Sequence, residues 1–136
     1  MRMWSYYADG HRGLCFGFDR NGRNANRFPL LKLDYLSSYP PIKIYSMKFL
    51  ELTNILVTTK SDSWSHEKEW RVLSRRDQNQ YVRVPEETLK EIVFGLRCGE
   101  LMTESIRNWN NRRANLLKLF QIKKMDRSFN LELVPA

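Results

Sequence analysis

The residues best suited to chemistry lie close together, in the stretch Thr59 to Leu73, T-K-S-D-S-W-S-H-E-K-E-W-R-V-L. It holds two tryptophans, a histidine, and two glutamates separated by one lysine. Read as extended chain, alternation places Glu67, Glu69 and Arg71 on one face and Lys68, Trp70 and Val72 on the other. That presents two acids and a guanidinium side by side, backed by an aromatic wall, a dense set of reactive groups whose types alone name no reaction. The same residues also suit a core built on Trp64 and Trp70 with a solvated charged edge, as such side chains ordinarily behave. Asp62, Glu67, Lys68 and Glu69 have the groups of a metal-dependent nuclease, but Lys68 between the glutamates would point to the opposite strand face, which argues against it. His66 has no serine or cysteine at a recognisable nucleophile elbow, so a hydrolase triad is not expected. His11, next to Gly10, suits a helix C-terminus better than a catalytic base.

The elements that must position these groups follow from pattern. Trp4 to Asp9 reads as the last turns of a helix stopped at Gly10, and Gly13 to Asp19 as a buried strand. Residues 20 to 28 are polar and turn-rich and form a loop. Leu30 to Tyr35 is a short strand, Ser37 to Pro41 extended or turning chain, and Ile42 to Tyr45 a further strand. Met47 to Thr58 carries Phe49, Leu50, Leu52, Ile55 and Leu56 at helical spacing, predicting an amphipathic helix with its stripe on the core. Trp70 to Ser74 and Gln80 to Val84 are expected to pair as antiparallel neighbours around R-R-D-Q-N. Pro85 to Lys90 gives one helical turn and Glu91 to Gly95 a buried apolar strand. A last helix opens at Met102 or Thr103, with Thr103 as N-cap and Ile106 and Trp109 facing inward. Leu117 to Lys123 and Phe129 to Val134 form a hairpin about Asp126 to Ser128. The fold class expected is α+β, an antiparallel or mixed sheet packed by two or three helices, in one domain spanning 1–136 or the C-terminal part of one.

Composition narrows the function classes. A chain of 136 residues with 42% hydrophobic and 12% aromatic content is globular and has no run long and apolar enough for a membrane span. The N-terminus carries no apolar secretory run, and Cys15 and Cys98 are far apart without metal-ligand spacing. A cytoplasmic location, reduced thiols, no metal site and no membrane partner are the resulting expectations. A net charge of +8 would draw polyanions to the surface. The excess is densest from Arg107 to Arg127, where Arg107, Arg112, Arg113, Lys118, Lys123, Lys124 and Arg127 face a single acid, Asp126. One reading of the chain is therefore a non-catalytic interaction module that binds nucleic acid through this face. The other reading of the run is a solubilising surface.

Three segments carry a family resemblance: Met3 to Asp19, then Thr59-Lys60 with Trp64 to Arg71, then Leu89 to Arg97. In order and spacing they resemble the uncharacterised bacterial family Domain of Unknown Function 2971. That family usually has histidine where this chain has Tyr6, and a further half-domain upstream. The resemblance thus implies a C-terminal portion lacking its N-terminal half. The layout is more distantly similar to the ADP-ribosyltransferase fold, in which a glutamate opens an apolar strand. That likeness implies NAD as substrate, with Glu69 the carboxylate beside the ribose, Glu67 positioning the acceptor, Trp4 and Tyr7 offering an aromatic face to nicotinamide, and Arg71 holding phosphate or pairing with the acids. It also implies that part of an NAD pocket belongs to the upstream half, so that this portion by itself would be inactive.

Overall fold

The computed structural model describes residues 2–19, 30–72 and 84–136, and these fall into two compact units. The first unit takes the described residues on either side of the second, 2–19 and 84–136; the second is 30–72. No helix among the described residues is long and apolar enough to cross a membrane.

The first unit is built on a four-stranded mixed sheet. Its strands are β1 (Leu14–Phe18), β6 (Leu89–Phe94), β7 (Lys118–Lys124) and β8 (Leu131–Pro135), adjacent in that order. β1 runs antiparallel to β6, β6 parallel to β7, and β7 antiparallel to β8. A parallel neighbour needs a crossover, and helix α3 (Glu100–Asn110) supplies it between β6 and β7. Alternation along β6 sends Val93 to one face and Ile92 and Phe94 to the other, and each face has its own cluster. Val93 packs with Ile122, Trp4 and Ala8. Ile92 and Phe94, fully buried, pack with Leu117 and with Ile106 of α3. Trp4 belongs to helix α1 (Arg2–Tyr7), and Ala8 follows one turn later, so the pair presents one surface to the sheet.

Two local devices fix this arrangement. After α1 the chain turns through three consecutive left-handed residues, Asp9, Gly10 and His11, and the amides of His11 and Gly13 close onto Trp4 and Ala8 carbonyls. The glycine stop expected at Gly10 is there. Gly95, just past β6, lets that strand meet the loop after α1. A methyl at Gly95 would sit 2.2 Å from the His11 carbonyl oxygen, while its amide donates to Gly13 and the Arg97 amide to His11. At the far end of α3, buried Asn110 binds both backbone groups of Leu117.

Several expectations need correction in this unit. α3 begins at Glu100 with Gly99 as its N-cap, and Thr103 donates back to the Gly99 carbonyl from inside the first turn. Trp109 is not core: 42% of it is exposed, and the Arg113 guanidinium lies over its ring at 4.7 Å. β1 is only half-buried, with Phe16 and Phe18 exposed. A helical turn, a strand and the β7–β8 hairpin stand in the predicted order, but the turn is only Glu86–Thr88, and Leu89 and Lys90, expected in it, already belong to β6.

The second unit is made of short ribbons. The segment from Leu30 to Leu36 pairs first as β2 (Leu30–Lys32) antiparallel with β5 (Trp70–Val72), then as β3 (Asp34–Leu36) parallel with β4 (Thr59–Ser61). Leu33, at the changeover, is 2% exposed. Helix α2 (Phe49–Thr58) leads directly into β4, and a 3-10 turn, Asp62–Glu67, carries the chain from β4 toward β5. Two expectations fail here. Ile42 to Tyr45 is not a strand; the amides of Ser46 and Met47 both close onto the Lys43 carbonyl in a turn. The stripe on α2 is not core, because Phe49, Leu50 and Leu56 stand exposed while only Leu52 and Ile55 on that stripe are partly covered. Two-stranded ribbons offer a helix too little surface to cover a whole apolar face. The hairpin expected between Trp70–Ser74 and Gln80–Val84 lies largely outside the described residues; β5 itself pairs with β2.

Candidate functional site, an ion-pair cluster centred on Lys60

Glu67 closes the 3-10 turn, Lys68 takes a left-handed conformation at its end, and Glu69 immediately precedes β5. The local backbone is therefore not the continuous strand that the alternation argument assumed. The two glutamates nevertheless converge, because both reach one ammonium. Lys60 Nζ, on β4, donates to Glu67 Oε2 at 2.5 Å and to Glu69 Oε2 at 2.7 Å. Arg71, on β5, donates from Nε to Glu69 Oε1 at 2.6 Å and from Nη1 to the Val57 carbonyl at 2.7 Å. The Tyr35 hydroxyl, on β3, accepts the Glu69 amide at 2.8 Å. Both oxygens of Glu69 and its own backbone are thus held.

These groups are largely withdrawn from water: the side chains of Lys60, Glu67 and Glu69 are 18%, 10% and 27% exposed. At such burial, unpaired charges would be costly, and among the described residues the two anions Glu67 and Glu69 are met by the two cations Lys60 and Arg71. The Arg71 hydrogen bond is the chief reason that the Glu69 carboxyl lies below its usual range; burial opposes this and the Lys60 bond reinforces it. Lys60 is driven upward, first by its bond to Glu67 and then by that to Glu69. Both groups are therefore charged throughout the neutral range. An ionised, oriented Glu69 can stabilise a neighbouring cation; with both oxygens bonded it is poorly disposed to take up a proton.

Trp64 flanks the cluster. Lys60 Nζ lies 5.2 Å from the centre of its ring, and His66 stacks with it at 6.1 Å. Two hollows adjoin, with Leu36, Pro40, Ile55 and Thr59 as shared wall residues. One of about 520 Å³ reaches Tyr35 and Asp34; the other, about 480 Å³, reaches Lys60 and Trp64.

The remaining sequence candidates have different places. Trp4 is 6% exposed within the core of the first unit and stacks with His11, which removes it from the candidates for a ligand face. Tyr7, in the same unit, is 67% exposed. The basic residues from Arg107 to Arg127 are spread over several elements. Arg113 is drawn into a close ion pair with Glu86 at 3.0 Å, its side chain 10% exposed. Lys118 and Lys124 lie on one face of β7 and Lys123 on the other, since alternation along a strand separates adjacent residues. Arg107 and Arg112 are exposed on and just after α3, and Arg127 pairs with Asp126 in the β7–β8 turn. Among the described residues no cluster of three or more His, Cys, Asp or Glu could hold a metal ion.

Sequence reasoning missed Lys60 as the centre of the site, and Tyr35 altogether. The available signal for Lys60 was electrostatic: two glutamates on one face need a counter-cation, and Arg71 alone balances only one.

Fold and site together define a mixed α/β protein whose second unit carries a charge-balanced carboxylate pair beside an aromatic-edged hollow. The chain belongs to the family described as Protein of unknown function (DUF2971), whose model matches residues 3–72. That match contains the first two of the three resembling segments; Leu89 to Arg97 lies outside it. No curated protein and no solved structure matches the chain.

Proposed function

We propose that the Lys60 cluster is the catalytic centre of a glycosyl-transfer reaction on NAD, of the ADP-ribosyltransferase kind, with Glu69 as the charge-stabilising carboxylate. The observation that supports this reading is the convergence of Glu67 and Glu69 on one ammonium with Glu69 held ionised. In such a reaction the bond between nicotinamide nitrogen and ribose C1′ breaks and its electron pair leaves with nicotinamide. The ribose is left as an oxocarbenium ion, which an acceptor then attacks through a lone pair, releasing a proton to solvent. A fixed carboxylate beside the ribose favours that cation over the ground state. Glu69 needs no proton transfer for this role, which suits a carboxylate with both oxygens bonded. Glu67 lies within reach of the same ammonium and would orient the acceptor.

The test is nicotinamide release from NAD by the chain and by Glu69→Gln, followed chromatographically. Release by the parent chain that falls by about a hundredfold or more in the variant supports the assignment, since removing one electrostatic stabiliser costs on that order. Equal release by both proteins refutes it; where the parent chain releases none, NAD titration followed at the Trp64 and Trp70 indole signals decides, and the absence of saturable shifts refutes it.

A further inference from the structure

The hollow of about 480 Å³ beside Trp64 has the size of a small-molecule site, for which about 300–1,000 Å³ is usual. Its chemistry is unequal around the rim. Ile55 and Leu56 of α2 give an aliphatic wall, Tyr39 and Trp64 supply aromatic rings, and Ser37 and Ser38 bring hydroxyls. Lys60 is the one charged residue on its lining among the described residues.

That lysine decides what the hollow can accept. Its ammonium is already bonded at 2.5 and 2.7 Å to Glu67 and Glu69, and an anion approaching it meets those two carboxylates as well. Among the described residues, Lys60 and Arg71 offset Glu67 and Glu69, so the one cation on the lining is already engaged and is poorly placed to draw in a phosphate, even though the chain as a whole carries +8. What remains is aromatic and aliphatic surface edged by hydroxyls. This suits a flat, uncharged, heteroaromatic ring whose faces are apolar and whose edge carries donors and acceptors. Trp64 keeps 37% of its surface exposed, and Leu56 keeps 60%. Tyr39, also on the lining, is 95% exposed, so its ring face is open to a ligand.

We infer that the hollow bounded by Tyr39, Leu56 and Trp64 is a nucleoside site that recognises the uncharged base. The inference does not depend on the reaction assigned to Glu69.

The probe is adenosine, titrated into the isotope-labelled full chain while the Trp64 indole signal and the Ser37 and Ser38 amides are followed. Saturable shifts at these positions are expected, with AMP and ATP binding within about threefold of adenosine at low and at physiological salt, since no phosphate contact is there to be screened. Leu56→Arg sets a charge on the aliphatic wall at an already exposed position and should weaken adenosine binding by about tenfold or more without loss of fold. Trp64→Ala should do the same if it folds. The inference is overturned if adenosine leaves Trp64 unmoved, if Leu56→Arg binds as tightly as the parent, or if affinity climbs with each added phosphate and collapses with salt. Adenosine carries no nicotinamide bond, so its binding without NAD turnover upholds this site and gives the transfer reaction no support. Turnover without adenosine binding does the opposite.

Discussion

Replacing Lys60 by methionine keeps an unbranched side chain one atom shorter and removes the charge on which two carboxylates converge. Glu67 and Glu69, 10% and 27% exposed, then lose the cation they share, while Arg71 stays on Glu69. The gross attraction lost is large, about 4 kcal/mol for each pair at 4 Å in a medium of effective dielectric 20, but desolvation offsets much of it. Removing one member of a fully buried pair costs about 3–5 kcal/mol, and the residual exposure here lowers this to about 2–4 kcal/mol. The pH dependence gives a second handle. Glu69 has a folded-state value below its ordinary 4.5, so its contribution is present above that value and is lost as pH falls through the folded value. Lys60 is raised from 10.5, so its contribution is complete below that value and fades only at still higher pH. In the variant the crowded carboxylates are relieved by protonation, and the deficit should shrink to under about 1 kcal/mol near pH 4. Urea unfolding read at the Trp64 and Trp70 indole signals measures both. A deficit under about 0.5 kcal/mol at pH 7, or one that stays constant down to pH 4, would refute the argument that Lys60 organises the site.

Asn110→Ala leaves both backbone groups of Leu117 without their partner and should cost about 2–4 kcal/mol, measured as a drop in the urea midpoint of the first unit. Gly95→Ala forces a methyl into the His11 carbonyl, and a loss of at least about 3 kcal/mol, seen as collapsed amide dispersion or insolubility, is expected where Gly99→Ala, whose methyl meets open space, changes stability by under about 1 kcal/mol. Burial, reinforced by Glu91, pushes the Cys15 thiol above its ordinary 9.0, so its reaction with a disulfide reagent at pH 8 should be slower than that of the urea-unfolded chain; equal rates would contradict the packing described.

Legibility of the fold tracked how local each signal was. The Gly10 stop, the strand expected over Glu91 to Gly95 and the β7–β8 hairpin depend on neighbours in sequence, through backbone sterics, side-chain period and turn chemistry, and the structure has all three, the strand beginning two residues earlier at Leu89. Misreadings arose where a tertiary partner decides. The α2 stripe has correct helical spacing, but exposure of Phe49 and Leu50 follows from how little sheet the second unit provides. Trp109 is a different case: it has the composition of a core residue, and Arg113, four residues on, covers its ring instead, a local contact at helical spacing that an aromatic side chain read by itself does not announce.

The site divides in the same way. Residue types and the spacing Glu67-x-Glu69-x-Arg71 sufficed to single out the carboxylates and the guanidinium, because an extended chain and the 3-10 turn with left-handed Lys68 both leave the acids able to converge. The partners of those groups came only with the tertiary structure. Lys60 sits on β4 and Tyr35 on β3, and the switch of pairing at Leu33 brings both to Glu69. Charge type is a property of the residue and can be read from the chain. Charge balance is a property of distance, and distances between segments of no fixed separation exist only once the ribbons have paired.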